Sequence, residues 1–223
     1  MAQKLGTEVR QEQIAQAALD LIAARGLKGL SVAGVARRVG LVPSAIYRHF
    51  KGKEDVLDAV LDLLRGKLLG NVRAVCDETN DPIEQLRRLL LRHVALIREN
   101  QAIPRVVFSE EVIGGRAARK AKVYGIIRSY LNKVAAIVRR GQREGQIRTD
   151  VRAATLSVMF LGLVQPPAVL WLMSGGTFNV TRHVAEAWPM FSGAIRSSSG
   201  NRKAAARGAV RGAVGKEIRR TMA

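Results

Sequence analysis

The sequence predicts an all-α protein, and three observations support that prediction. Aromatic residues make up only 4% of the chain although apolar residues make up 48%. The strict alternation of apolar and polar residues that is typical of strands is scarce. Apolar residues instead recur at helical spacing in one segment after another. With 223 residues, the chain is long enough for a small domain joined to a larger one.

The first predicted helix covers residues 8–25, and two short helices follow within residues 31–50. Ser31 can cap the first short helix through its hydroxyl. Gly40 can end this helix at positive φ, and Pro43 suits the first position of the next one. Two short helices joined by a tight turn predict a helix-turn-helix motif, which places its second helix in the major groove of DNA.

The end of this motif carries a family resemblance. Residues 47–57 read YRHFKGKEDVL. This run closely resembles the signature of the TetR/AcrR family of bacterial transcriptional repressors, in which the recognition helix ends in Tyr-x-His/Tyr-Phe and a Lys opens the next helix. The match extends from about Ile14 to Leu61. The resemblance implies a homodimeric regulator that binds a double-stranded, palindromic DNA operator and responds to a small-molecule effector.

The same resemblance implies which side chains face the DNA. Arg48 is the best candidate for a guanine or a phosphate, and Ala45 is a candidate for a thymine methyl. Lys53 opens a helix, where a phosphate is readily bound. Arg37 and Arg38 either flank the DNA backbone or form a solvated helix face. The predicted DNA-binding residues are Ser31, Arg37, Arg38, Pro43, Ser44, Ala45, Tyr47, Arg48, His49 and Lys53.

Val42 departs from the family pattern, which often has a small residue such as Ser or Ala at this position. Its side chain cannot cap the recognition helix, which removes about 1 kcal/mol of stabilisation. We therefore expect the local contacts near Val42, rather than the motif itself, to differ from those of relatives.

Beyond the motif, helical periodicity continues almost to the end of the chain. Asp150 is predicted to cap one of these helices, and Gly141 and Gly145 are predicted to end another. No Ser/Gly-rich linker precedes the helix that starts at residue 53, so the two parts of the chain should be rigidly coupled. These further helices are predicted over residues 53–75, 82–99, 104–110, 116–140, 151–165 and 181–196, with a short helix through Met173.

This pattern predicts three regions. Residues 1–52 would form the helix-turn-helix domain, and residues 53–196 a helical domain for effector binding and dimerisation. Residues 197–223 form an Ala/Gly/Arg-rich tail, which is either flexible or a basic helix.

The net charge is +19, of which +4 falls on residues 1–70, +8 on residues 71–195 and +7 on the remainder. Positive charge thus indicates an anionic partner without locating the DNA-binding part.

Residues 153–181 contain no charged side chain. By length and composition, a membrane helix within 153–173 is one interpretation. Because Pro166 and Pro167 interrupt the run, we favour two helices that are buried at a subunit interface. The resemblance to the TetR/AcrR family also implies a subunit interface here, because members of that family dimerise through two C-terminal helices. The predicted dimer contacts are Leu156, Met159, Leu163, Val184, Trp188 and Phe191.

The helices at 82–99, 104–110 and 116–140 are predicted to enclose the effector. Few polar residues lie on their inner faces, which favours a largely apolar effector such as a lipid, aromatic or drug-like compound. His93 is either a ligand contact or a core histidine with a satisfied hydrogen bond. The predicted ligand-binding residues are His93, Ile97, Phe108, Tyr124, Ile127, Met159 and Phe160.

The sequence supports enzyme chemistry poorly. His49, His93 and His183 lie far apart, outside any metal-ligand spacing, and no phosphate-binding loop or nucleophile elbow is present. We therefore expect neither catalysis nor a cofactor nor a metal. A helical ligand carrier or enzyme without operator recognition is the alternative. The single cysteine, Cys76, excludes an internal disulfide and suits the bacterial cytoplasm.

Overall fold

The computed structural model describes the backbone of residues 2–110, 112 and 115–197. Over these residues the chain is helical and contains no strand, which confirms the predicted fold class. The helices are α1 (Ala2–Arg25), α2 (Val32–Val39), α3 (Pro43–Tyr47), α4 (Lys53–Glu78), α5 (Pro82–Glu99), α6 (Ala102–Val107), α7 (Ala117–Arg143), α8 (Ala153–Gly162), α9 (Gln165–Met173) and α10 (Val180–Ile195).

Two hydrophobic cores lie along the long helix α4. The N-terminal core joins buried side chains of α1, α2, α3 and the first part of α4 with Ala102, Val106, Val112 and Val123. The C-terminal core joins the second part of α4 with α5, α7, α8, α9 and α10. Helix α4 runs without a break from one core into the other, as the missing linker led us to expect. The boundaries proposed at residues 52 and 196 remain predictions.

Several local predictions are wrong. Helix α1 begins at Ala2 instead of residue 8, and α6 begins two residues before Pro104. Asp150 does not cap α8, because its carboxylate accepts hydrogen bonds from the Arg148 guanidinium. Gly141 does not end α7 but lies inside it, where the chain packs too closely for a side chain. Gly145, at φ 70°, is the glycine just beyond that helix.

The uncharged stretch forms two helices, as predicted. By length and composition, residues 153–173 are apolar enough to cross a membrane, and 39% of this stretch is buried inside the protein. Helix α8 ends at Gly162 and α9 starts at Gln165, with the two prolines in its first turn. Apart from Ser197, the basic tail predicted over residues 197–223 lies outside the described residues.

Candidate nucleic-acid interface and effector cavity

Helix α2 begins and ends as its sequence predicts. The Ser31 hydroxyl accepts a hydrogen bond from the Gly34 N–H at 3.1 Å. Gly40 takes the left-handed conformation at φ 74° and ends the helix. Val35 and Ala36 are fully buried in the N-terminal core. Capping and burial together fix the turn from which α3 starts.

Helix α3 starts at Pro43, but nothing caps it through a side chain. Val42 occupies the N-cap position in an extended conformation, and its side chain makes no capping hydrogen bond. The side chain is 64% exposed, so it contributes little to the core. Backbone N–H groups at the start of α3 thus lack the cap that Ser31 provides for α2.

Replacing Val42 with serine should therefore stabilise the protein. The new hydroxyl can accept a hydrogen bond from a free N–H in the first turn, and we expect a gain of about 1 kcal/mol in the free energy of unfolding. Urea denaturation of wild type, Val42→Ser and Val42→Ala would measure this gain. Since alanine cannot cap the helix, an equal gain in both variants would contradict the explanation.

Most of the residues predicted to bind DNA are exposed. Tyr47 is 57% exposed at the end of α3, and Arg48 and Ser44 are exposed beside it. Ala45 differs, because only 6% of its surface is accessible and it faces the protein interior. The expectation that its methyl group meets a thymine is therefore wrong. Pro43, Arg37, Arg38 and Lys53 are exposed, and His49 is half-buried.

Further basic side chains are exposed before and after α3. Arg38 lies 3.7 Å from the Asp20 carboxylate, at a site where both side chains are about half exposed, so this pair leaves Arg38 accessible. The Lys51 N–H donates a hydrogen bond to Asp55 Oδ2 at 2.9 Å, which orders the start of α4. The side chains of Lys51 and Lys53, at this helix start, are both exposed. Lys51 was not among the predicted DNA contacts, although its position in the KGK run could have indicated it.

An apolar cavity of about 100 Å³ lies between α4, α5, α6, α7 and α9. Four predicted ligand contacts, His93, Ile97, Phe108 and Ile127, lie in its wall. The other residues of the wall are mostly aliphatic. They are Leu61, Leu64, Leu68, Leu96, Ile103, Pro104, Val107, Val123, Ile126, Tyr130, Leu161, Gln165 and Ala168.

Three predicted ligand contacts do not reach the cavity. Tyr124 and Met159 are 62% and 51% exposed. Phe160 is fully buried, but it packs against Phe191 in the C-terminal core, with ring centroids 6.0 Å apart. The inner stripe of α7 passes through Val123, Ile127 and Tyr130, and an adjacent residue such as Tyr124 points about 100° away from it. Tyr130 could therefore have been identified by strict helical spacing.

His93 and Tyr130 form a buried hydrogen-bonded pair in the cavity wall. His93 Nδ1 lies 3.1 Å from the Tyr130 hydroxyl, and the rings meet edge to face. Burial lowers the pKa of His93 to about 4, so the imidazole is neutral at pH 7. Burial raises the pKa of Tyr130. The two side chains therefore share one hydrogen bond, and neither is charged at pH 7.

A buried arginine joins the cavity helix α7 to the start of α4. Only 5% of the Arg119 side chain is exposed. Its guanidinium lies 2.8 Å from the Glu54 carboxylate and 3.3 Å from that of Asp58. One turn further, Lys122 Nζ lies 2.7 Å from the Asp62 carboxylate. These ion pairs link the helix that lines the cavity to the helix that follows the DNA-binding motif, and sequence reasoning did not find them.

The predicted dimer contacts are only partly available to a second subunit. Leu156, Val184 and Phe191 are buried in the C-terminal core of the subunit itself, because they occupy the inner stripes of α8 and α10. Leu163 and Trp188 are half-buried, and Met159 is exposed. The exposed apolar side chains of α8, α9 and α10 are Val158, Met159, Leu170, Met173 and Met190.

Within the described residues, no group of three or more His, Cys, Asp or Glu side chains is arranged to hold a metal ion. Cys76 is half-buried against the C-terminal core and unpaired.

Two family models match this chain. Residues 14–60 match the model described as bacterial regulatory proteins, tetR family, and residues 64–194 match the YsiA-like protein C-terminal region. The nucleoid occlusion factor SlmA of Vibrio vulnificus is 23% identical over 189 residues, which cover 84% of this chain and 96% of that protein.

A further curated relative and a similar solved structure come from Bacillus subtilis. The fatty acid metabolism regulator protein of Bacillus subtilis is 23% identical over 168 residues, covering 75% of this chain and 86% of that protein. The solved structure of the regulator FadR from the same species, in complex with stearoyl-CoA, has a TM-score of 0.68 at 21% identity and covers 81% of this chain and 96% of that chain. With its helix-turn-helix motif and its C-terminal region both matched, the chain belongs to the TetR family of bacterial regulatory proteins.

Proposed function

We propose that this protein is a dimeric transcriptional repressor that leaves its DNA operator when a largely apolar effector enters the cavity. One observation carries the proposal. The cavity wall includes Leu61, Leu64 and Leu68 of α4, the same helix whose first turn presents Lys53 beside the DNA-binding motif. A ligand that displaces this wall therefore acts on the helix that positions the motif.

The operator is double-stranded DNA with two symmetric half-sites. Two-fold symmetry of a dimer places equivalent motifs on the same face of the duplex, so the half-site centres would lie about one helical turn, roughly 34–36 Å, apart. The protein acts in the bacterial cytoplasm, associated with the nucleoid when it is bound to DNA.

We assign dimerisation to the outer face of α8, α9 and α10. Five exposed apolar side chains lie on these helices, and contact with a second copy would remove them from water. Dimerisation also accounts for the uncharged composition of residues 153–173 without a membrane. Met173 and Met190, the most exposed of the five, would replace Leu156 and Phe191 among the predicted contacts.

A fatty acyl compound is the effector class that the cavity favours. Its wall is aliphatic, and one structural relative was solved with stearoyl-CoA. At about 100 Å³ the cavity is smaller than the roughly 150 Å³ cavity that accepts benzene in an engineered protein. A long acyl chain would therefore have to push the helices apart, and this expansion supplies a physical cause for the change in DNA affinity.

Operator binding should depend on the exposed end of α3. In a mobility-shift assay at about 150 mM salt, with DNA flanking the protein's own gene, Tyr47→Ala and Arg48→Ala should each weaken binding about 10- to 100-fold. A lost base or phosphate contact is worth about 1–3 kcal/mol. Arg139→Ala removes another exposed arginine, on α7, and should leave binding unchanged.

A version that ends at Arg196 tests the contribution of the basic tail. It should keep its preference for operator over scrambled DNA, although weaker overall binding is expected from the lost charge. If the full chain binds scrambled DNA as tightly as operator, and only removal of the tail abolishes binding, the repressor proposal is wrong.

A further inference from the structure

The cavity wall combines aliphatic side chains with a small polar site. His93 on α5, Tyr130 on α7 and Gln165 at the start of α9 contribute the polar groups. No Asp, Glu, Lys or Arg is part of this wall among the residues that the structure describes. A ligand in the cavity therefore meets three residues that can form hydrogen bonds and no formally charged side chain.

The hydrogen bond between His93 and Tyr130 leaves donor capacity unused. If the Tyr130 hydroxyl donates to His93 Nδ1, the imidazole carries its proton on Nε2, where it is free to donate. If Nδ1–H donates to the hydroxyl oxygen instead, the hydroxyl proton is free to donate. In both tautomers the pair keeps one donor that no other described residue accepts. The amide of Gln165, likewise without a hydrogen-bond partner in the described chain, adds two N–H donors.

The electrostatics of the site disfavour an anion. A carboxylate in this cavity would lose its hydration without gaining a cationic partner, which disfavours its binding. His93 does not supply the missing charge, because burial lowers its pKa to about 4 and keeps the ring neutral at pH 7. An uncharged oxygen acceptor needs only a hydrogen bond, which the site can donate.

We propose that His93, Tyr130 and Gln165 form a neutral oxygen-recognition site, so that the effector is an apolar chain bearing an uncharged carbonyl or hydroxyl group, such as an ester, thioester or ketone, rather than a free carboxylate. The inference rests on the proposed apolar effector and specifies its chemistry. In this proposal His93 and Tyr130 contact the effector, in addition to holding α5 against α7.

Matched ligands separate recognition from packing. Binding of methyl decanoate, undecane and decanoate to the full chain would be measured at pH 7 by competition with a fluorescent fatty probe. Wild type should bind the ester about tenfold more tightly than the alkane, which corresponds to one additional hydrogen bond, and also more tightly than the carboxylate. A triple variant that carries His93→Leu, Tyr130→Phe and Gln165→Leu removes the free donors in either tautomer. It should reduce the preference for the ester to about twofold while the Kd for undecane stays within about twofold of wild type.

Tyr124→Phe is the matched control, because it removes a hydroxyl from an exposed tyrosine on the same helix and should change none of the three affinities. Thermal unfolding of each variant verifies that it is folded. The inference is overturned if wild type binds the carboxylate best, or if the triple variant weakens the ester and the alkane equally. If none of the three ligands binds wild type, the proposed apolar effector is contradicted, and the oxygen-recognition site with it.

Discussion

Replacing both Glu54 and Asp58 with their amides is expected to lower the free energy of unfolding by about 3 kcal/mol. The double variant leaves the Arg119 guanidinium, which is 5% exposed, without a counter-ion. An uncompensated buried charge is among the costliest local changes in a protein. Burial alone disfavours the charged guanidinium, and the hydrogen bonds and charges of the two acids outweigh this effect and raise the pKa of Arg119.

The opposite substitution should cost less. Arg119→Met leaves Glu54 and Asp58 unpaired, but these side chains are 34% and 42% exposed and can be hydrated. We expect a loss of about 1 kcal/mol. Urea unfolding of both variants, with Asp62→Asn as a control at an exposed pair of the same two helices, would test this asymmetry. A larger loss in Arg119→Met than in the double amide variant would show that the charge of Arg119 is not what the acids stabilise.

A single methyl group added at Gly141 is expected to destabilise the protein by about 1–3 kcal/mol. A Cβ at this position would lie 2.6 Å from Ile147 Cδ1 and 3.1 Å from Pro82 Cβ. Ile147 is fully buried, and its N–H donates to the Gly141 carbonyl at 3.0 Å, so it cannot move aside freely. The overpacking cost therefore exceeds the gain in helix propensity.

Gly125 provides a control for Gly141 on the same helix. A Cβ at Gly125 would contact nothing within 4 Å. Gly125→Ala should therefore stabilise the protein by about 0.5–1 kcal/mol, since alanine loses less backbone entropy on folding. Thermal or urea unfolding of both variants measures the difference. Destabilisation of equal size at the two positions would indicate that helix flexibility, rather than contact with Ile147, determines the effect.

Local chemistry made much of the fold predictable. The ends of α2 and α3 follow from single residues: Ser31 caps α2, Gly40 ends it at positive φ, and Pro43 has a φ that suits the first position of α3. Each of these effects depends on one residue and its immediate neighbours. Such signals can be read without knowing what packs against the helix. The bend before Pro166 was predictable for the same reason.

The wrong predictions concern features that depend on packing between residues far apart in the chain. Gly141 has the sequence of a helix end, but Ile147 and Pro82 fold against it and the helix continues. Leu156 and Phe191 are apolar enough for a subunit interface, yet they face the protein's own core. Arg119 and its partners lie about 60 residues apart in the chain, and periodicity carries no information about contacts at that separation.

The length of α4 determines how large a displacement at its DNA-binding end results from a small movement at the cavity. At 1.5 Å per residue, this helix is about 38 Å long, and Leu64 lies about 21 Å from its far end at Glu78. Val72 and Val75 hold that end in the C-terminal core. If the helix tilts about Glu78, a shift of about 1 Å at Leu64 becomes about 1.8 Å at Lys53. In the proposed dimer, two subunits that tilt in opposite directions would change the separation of their motifs by about 3.6 Å, close to the 3.4 Å step between base pairs. An expansion of the cavity by about 1 Å would then misalign the two motifs by one step of the duplex.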